Sequence, residues 1–138
     1  MKEPKWITLE ACQMLHGILI ADYGGDAGIR DQGRLESALA RPQNLFSYEK
    51  AKLPQLAAAY ATGIIEGHPF VDGNKRTGFI LAALFLEING AKFDAPEVEV
   101  VVQTVGLASG KVTEAGYARW LETSLSSANK AKPRKKRK

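Results

Sequence analysis

The chain has 138 residues, 45% hydrophobic and 25% charged, the composition of one soluble globular domain able to bury a core, and no apolar run is long enough to span a membrane. Cys12 is its only cysteine, which excludes an internal disulfide and a thiolate metal cluster, and MKEPKWITLEAC lacks the apolar stretch of a signal peptide, so a cytoplasmic location is expected. The formal charge of +4 misleads, because KAKPRKKRK (130–138) holds seven Lys or Arg, and removing them leaves −3 on a mildly acidic body with no nucleic-acid-binding stripe.

Thr8 caps a predicted helix to about Ala21, with Leu9, Cys12, Leu15, Ile18 and Leu19 at helical spacing on one side. The glycines of YGGDAG (23–28) stop it. Asp31 caps a second helix, QGRLESALAR, expected to end before Pro42, because proline disfavours helical geometry in the residue ahead of it. Gln43 to Lys52 is the least periodic stretch and reads as a short hairpin or loop. Pro54 suits the first position of a third helix, QLAAAYATGIIEG, whose small residues fit close central packing. Pro69 then turns the chain out at His68.

A fourth helix starts near Asn74 and runs through KRTGFILAALFLEI to Asn89-Gly90. Leu81, Leu84, Phe85 and Ile88 share a face, but the segment is apolar nearly all round, as a central, buried helix would be. PEVEVVVQTVGLASG is ambiguous by its valines; Pro96 at the start and the spacing of Val98, Val101, Val102 and Val105 favour helix. Thr113 caps the last helix, EAGYARWLETSL, with Tyr117, Trp120, Leu121 and Ser124 or Leu125 on one stripe. The expectation is an all-α domain of about six helices with a short loop or hairpin flap over residues 1–127. The basic tail at 128–138 reads as disordered and solubilising, with a nucleic-acid contact or localisation signal as its functional alternative.

The chemistry concentrates in HPFVDGNKR (68–76), in the gap between the third and fourth helices. A helix N-terminus offers free backbone N–H groups and partial positive charge, and Gly73 leaves the backbone open to a phosphate. Lys75 and Arg76 oppose the helix dipole there by up to about 1 kcal/mol, which makes sense if an anion sits between them. Asp72 is placed to hold Mg²⁺ bridging phosphates, and His68 is the nearby side chain suited to take a proton near neutral pH. Phe70 reads as a core plug anchoring the loop. Singly, His68 reads as structural or solvated and Asp72 as a helix cap; jointly they point to attack of a hydroxyl on a nucleotide phosphate.

HPFVDGNKRTGF resembles the signature of the Fic/Doc superfamily, and particularly its death-on-curing (Doc) branch; the likeness extends over YGGDAGIRDQGRLESALARPQ upstream and FLEING downstream, about residues 8–122. The resemblance implies a compact all-α fold in which His68 is the catalytic base and Asp72 holds Mg²⁺. Gly73, Asn74 and the backbone around Lys75 form the anion cradle, and Arg76 contacts phosphate. Adenylyl-transferring relatives usually carry Gly at the position of Lys75 and Arg at that of Phe79. In the Doc branch that lysine goes with phosphoryl transfer from ATP. The implied function is a toxin kinase that modifies a threonine of elongation factor Tu, blocks translation, and is restrained by a Phd-like antitoxin.

TGIIEG (62–67) formally matches a self-inhibitory pattern of some Fic proteins, but it runs directly into the motif and reads as a chance match. Two other functions compete. Adenylyl transfer is disfavoured by Lys75 and Phe79. A non-catalytic protein binding ribosome or nucleic acid through its tail is disfavoured by the intact His68, Asp72 and Asn74.

Overall fold

The structure is a computed structural model that describes residues 2–125. The basic tail lies outside the described residues. Six helices follow in chain order: α1 Leu9–Tyr23, α2 Gln32–Glu49, α3 Leu53–Gly67, α4 Asn74–Ile88, α5 Glu97–Ser109 and α6 Glu114–Thr123. Among the described residues the only extended pairing is two isolated antiparallel bridges, Ile29 with Phe70 and Phe93 with Leu125. The all-α expectation holds.

Packing is organised around α3, which lies against α2, α4 and α6 and also touches α5. The alanine-rich sequence explains this position, since Leu56 through Thr62, Ile64 and Ile65 are all buried. Small side chains let neighbouring backbones approach: a Cβ on Gly63 would stand 2.9 Å from Ala38 Cβ and 3.0 Å from Ala38 Cα. α4 buries Leu81, Ala82, Phe85 and Leu86 against it, while Ile88 is 37% exposed, so α4 is a flank of the core and α3 its centre. The N-terminal segment crosses the opposite end, with Trp6 stacked on Phe85 and the Ile7 N–H donating to Tyr60 Oη at 3.0 Å.

Thr8, Asp31 and Thr113 each cap their helix by accepting from a backbone N–H three residues on. The predicted end of the second helix is corrected. α2 runs through Pro42 to Glu49, and the hairpin or loop expected from Gln43 to Lys52 shrinks to Lys50–Lys52. Pro42 cannot donate to the Ala38 carbonyl, a loss of about 3 kcal/mol in a helix interior. Leu35, Ala38, Leu39, Pro42 and Phe46 nevertheless make one buried stripe. Burying a single large apolar side chain is worth about 1.5–3 kcal/mol, so the stripe outweighs the break.

On the apolar side expected of α1, Cys12 is buried and Leu9 and Leu15 pack against the core, with His16 buried beside them; Ile18 departs from it and is half-exposed. On α5, Val98, Val101, Val102 and Val105 do form a helical stripe, but that stripe faces outward; the core takes Thr104, Gly106 and Leu107.

Candidate active site

The sequence HPFVDG links α3 to α4 in a turn closed by three devices. First, His68 caps α3 in the left-handed conformation, φ 52° and ψ 52°, with its N–H on the Ile64 carbonyl at 3.1 Å. A side chain in that region costs roughly 1–2 kcal/mol, so other contacts must hold it. Second, Asn74, 4% exposed at the start of α4, bonds back across the turn. Its Oδ1 accepts from the Phe70 N–H at 3.1 Å, and its Nδ2 donates to the Phe70 carbonyl at 2.9 Å and to His68 Nδ1 at 3.1 Å. Third, Phe70 is buried as the anchor expected, with its ring lying on His16 of α1 at 3.7 Å and 7°.

Because Phe70 fixes which end of the Asn74 amide is NH₂, the atom facing His68 is a donor. His68 Nδ1 therefore holds the lone pair, and the neutral ring carries its proton on Nε2. Proton abstraction then requires the exposed ring to turn Nδ1 away from Asn74.

The segment read from sequence only as a helix stop forms a second wall. Gly28 accepts from the Val71 N–H, and the Arg30 and Asp31 N–H groups donate to the Pro69 carbonyl at 2.7 and 3.0 Å, making the Ile29–Phe70 bridge. Arg30 Nε donates to the His68 carbonyl at 2.9 Å, and Arg34 Nη1 to the Gly67 carbonyl at 3.1 Å. Two cations thus cap the negative end of α3, where the dipole favours them. The Asp26 N–H donates to Asp72 Oδ2 at 2.8 Å. Gly25, at φ 116°, passes so close that a Cβ would stand 3.0 Å from Asp72 Cβ.

Gly73 caps α4 with φ 79°, and Lys75 and Arg76 project from its first turn, both exposed. The Arg76 guanidinium lies 4.0 Å from the centre of the Tyr23 ring, a cation–π contact that holds it at the rim. Beyond these cations opens a groove of about 530 Å³, lined by Leu19, Tyr23, Phe79, Phe93 and Val101 among others. His68, Asp72 and Asn74 are not part of its lining. Phe79 packs edge-on to Phe93 at 5.5 Å, so it belongs to an aromatic cluster and not to the phosphate cradle. Within TGIIEG, Thr62 is buried in α3, and Glu66 lies with Arg34 and Arg41 around a separate depression.

The structure thus gathers His68, Asp72, Gly73 and Asn74 in one turn and sets Lys75 and Arg76 beside it. The sequence reading missed His16, Tyr23, Asp26 and Arg30. A polar residue on the buried side of an apolar helix was the available signal for His16; Tyr23 by its ring, Arg30 by its guanidinium and Asp26 by its backbone N–H reach the turn from far off in sequence, which spacing does not reveal.

The family model described as the Fic/DOC family matches residues 6–86, more than half the chain. The chain belongs to the Fic/Doc family. A protein kinase doc of Escherichia phage P1 is 38% identical over 124 residues, covering 88% of this chain and 97% of that protein. A toxin Doc of Mycolicibacterium smegmatis is 40% identical over 90 residues, 60% of this chain and 68% of that one. The Fic/Doc match ends at residue 86, so it takes in α1 to α3 and nearly all of α4, the elements that build the turn.

The residues suit a nucleotide with Mg²⁺. Among the described residues no three His, Cys, Asp or Glu side chains converge, so a metal would take Asp72 and complete its shell with phosphate and water oxygens, as Mg²⁺ commonly does.

Proposed function

We propose that this Fic/Doc protein is the toxin of a toxin–antitoxin pair, a cytoplasmic kinase that transfers a phosphoryl group from ATP to a protein hydroxyl. The proposed target is a threonine of elongation factor Tu, and the proposed restraint is a Phd-like antitoxin. One observation carries the reading. The left-handed turn sets an imidazole beside the N-terminus of a helix whose first turn bears two cations. The kinase name of the phage relative, similar along nearly its whole length, supports phosphoryl transfer.

In this reading the N–H groups of Asn74, Lys75 and Arg76, which lack acceptors one turn back, take phosphate oxygens. Gly73 keeps the approach clear, while Lys75 and Arg76 neutralise charge developing on the phosphoryl group. Bound Mg²⁺, held by Asp72, would draw charge from the phosphates. His68 takes the proton of the target hydroxyl; the hydroxyl oxygen bonds to the γ-phosphorus, the bridging P–O bond breaks, and ADP leaves with its electron pair. The imidazolium then returns its proton to solvent.

Purified protein incubated with ATP, Mg²⁺ and elongation factor Tu should add one phosphoryl group to the factor, read by mass, and release ADP. An AMP adduct instead would overturn the kinase reading in favour of adenylyl transfer.

A further inference from the structure

We propose that His16, on α1 and outside the motif, is a positioning residue that sets the orientation of the Asp72–Gly73 peptide and thereby the face of the anion cradle. The proposal rests on the nucleotide-binding part of the reading above but not on which group is transferred.

His16 is only 2% exposed, and its ring is fixed by stacking on Phe70. Its Nε2 lies 2.8 Å from the Asp72 carbonyl oxygen. A carbonyl can only accept, so Nε2 carries hydrogen and donates. The Asp72–Gly73 peptide is planar and trans, so fixing its oxygen toward α1 directs the Gly73 N–H to the opposite side. On the inner side a Cβ at Gly73 would meet Ile20 Cδ1 at 3.2 Å and His16 Nε2 at 3.7 Å, so α1 fills that side.

Glycine makes this control necessary. Gly73 sits at φ 79° without a Cβ, and a residue so permissive allows the preceding peptide to flip. A flipped peptide would turn the Asp72 oxygen toward the phosphates and withdraw an N–H from them, replacing attraction by repulsion at the helix start. The His16 donor selects between the two orientations. It therefore acts on the cradle through the backbone, without touching the nucleotide.

Two substitutions separate positioning from space-filling. His16→Phe keeps ring volume and stacking but has no donor; His16→Gln gives up the ring and keeps a donor near the position of Nε2. Calorimetry with ATP and Mg²⁺ should show affinity lowered about tenfold or more in His16→Phe, and within about threefold of wild type in His16→Gln. In nucleotide-free protein the Gly73 amide resonance should move or broaden in His16→Phe only. If His16→Phe does not fold, His16→Met fills the space without a donor and is held to the same expectations. A core-filling His16 predicts the reverse order, Phe matching wild type in affinity and in the Gly73 resonance, and that result would overturn the proposal. If the wild type binds ATP but transfers AMP, the kinase reading fails while this order of affinities still decides the role of His16.

Discussion

His68 is the residue whose backbone and ring are both constrained, and each constraint can be tested. His68→Gln should lower phosphoryl transfer by about 10²–10⁴, the usual worth of a general base, while ATP affinity and thermal stability stay near wild type. Unchanged turnover would remove His68 from the mechanism. Nitrogen-15 shifts of the neutral ring should show hydrogen on Nε2, and Asn74→Ala should release that preference, since Asn74 Nδ2 imposes it. Away from the site, burial pushes the Cys12 thiol up to about 11 from 9.0 and the Tyr117 hydroxyl up to about 12 from 10.0. Both groups keep their protons in the folded state after the unfolded chain has begun to lose them. Stability should therefore be insensitive to these groups below about pH 8 and fall as pH rises from about 9 toward 11 and 12. A melting temperature flat across that alkaline range would contradict the burial of both.

At the scale of elements, α2 and α3 approach closely at Gly63, where an added Cβ would stand 3.0 Å from Ala38 Cα. Gly63→Ala should destabilise the fold by about 1–3 kcal/mol through overpacking, less the roughly 1 kcal/mol that alanine gains over glycine in a helix. A denaturant midpoint above that of wild type would show that the helices part more easily than this. The helices themselves were legible: polar caps at Thr8, Asp31 and Thr113, breakers at Asn89-Gly90, and the alanine run of α3 all behaved as local chemistry dictates. Pro42 was misread because a local rule was applied where a five-residue buried stripe decides. The helix read from the valines of α5 holds, but their spacing does not say which side meets the core, and there Thr104, Gly106 and Leu107 do.

For the whole molecule, the motif announced the site but not its support. The turn at 68–73 is held by α1 through His16 and by residues 25–34 through Asp26, Arg30 and Arg34, all far from it in sequence. No periodicity encodes such contacts. The basic tail should be dispensable: a chain ending near residue 127 is expected to keep its melting temperature and its activity on purified target, since the removed residues have almost nothing apolar to bury. Loss of catalysis on truncation would place the tail in the reaction. The two cations at the start of α4 carry a consequence for handling the protein. An anion that settles between them binds the native state and not the unfolded chain, so it shifts the unfolding equilibrium by mass action, by about 2.7 kcal/mol at a hundred times its dissociation constant. Phosphate or sulfate should therefore raise the melting temperature where chloride of equal ionic strength does not, and Lys75→Gly should shrink that rise. Melting curves recorded in phosphate buffer would then describe a partly liganded protein, and a chloride buffer would supply the baseline for every variant named above.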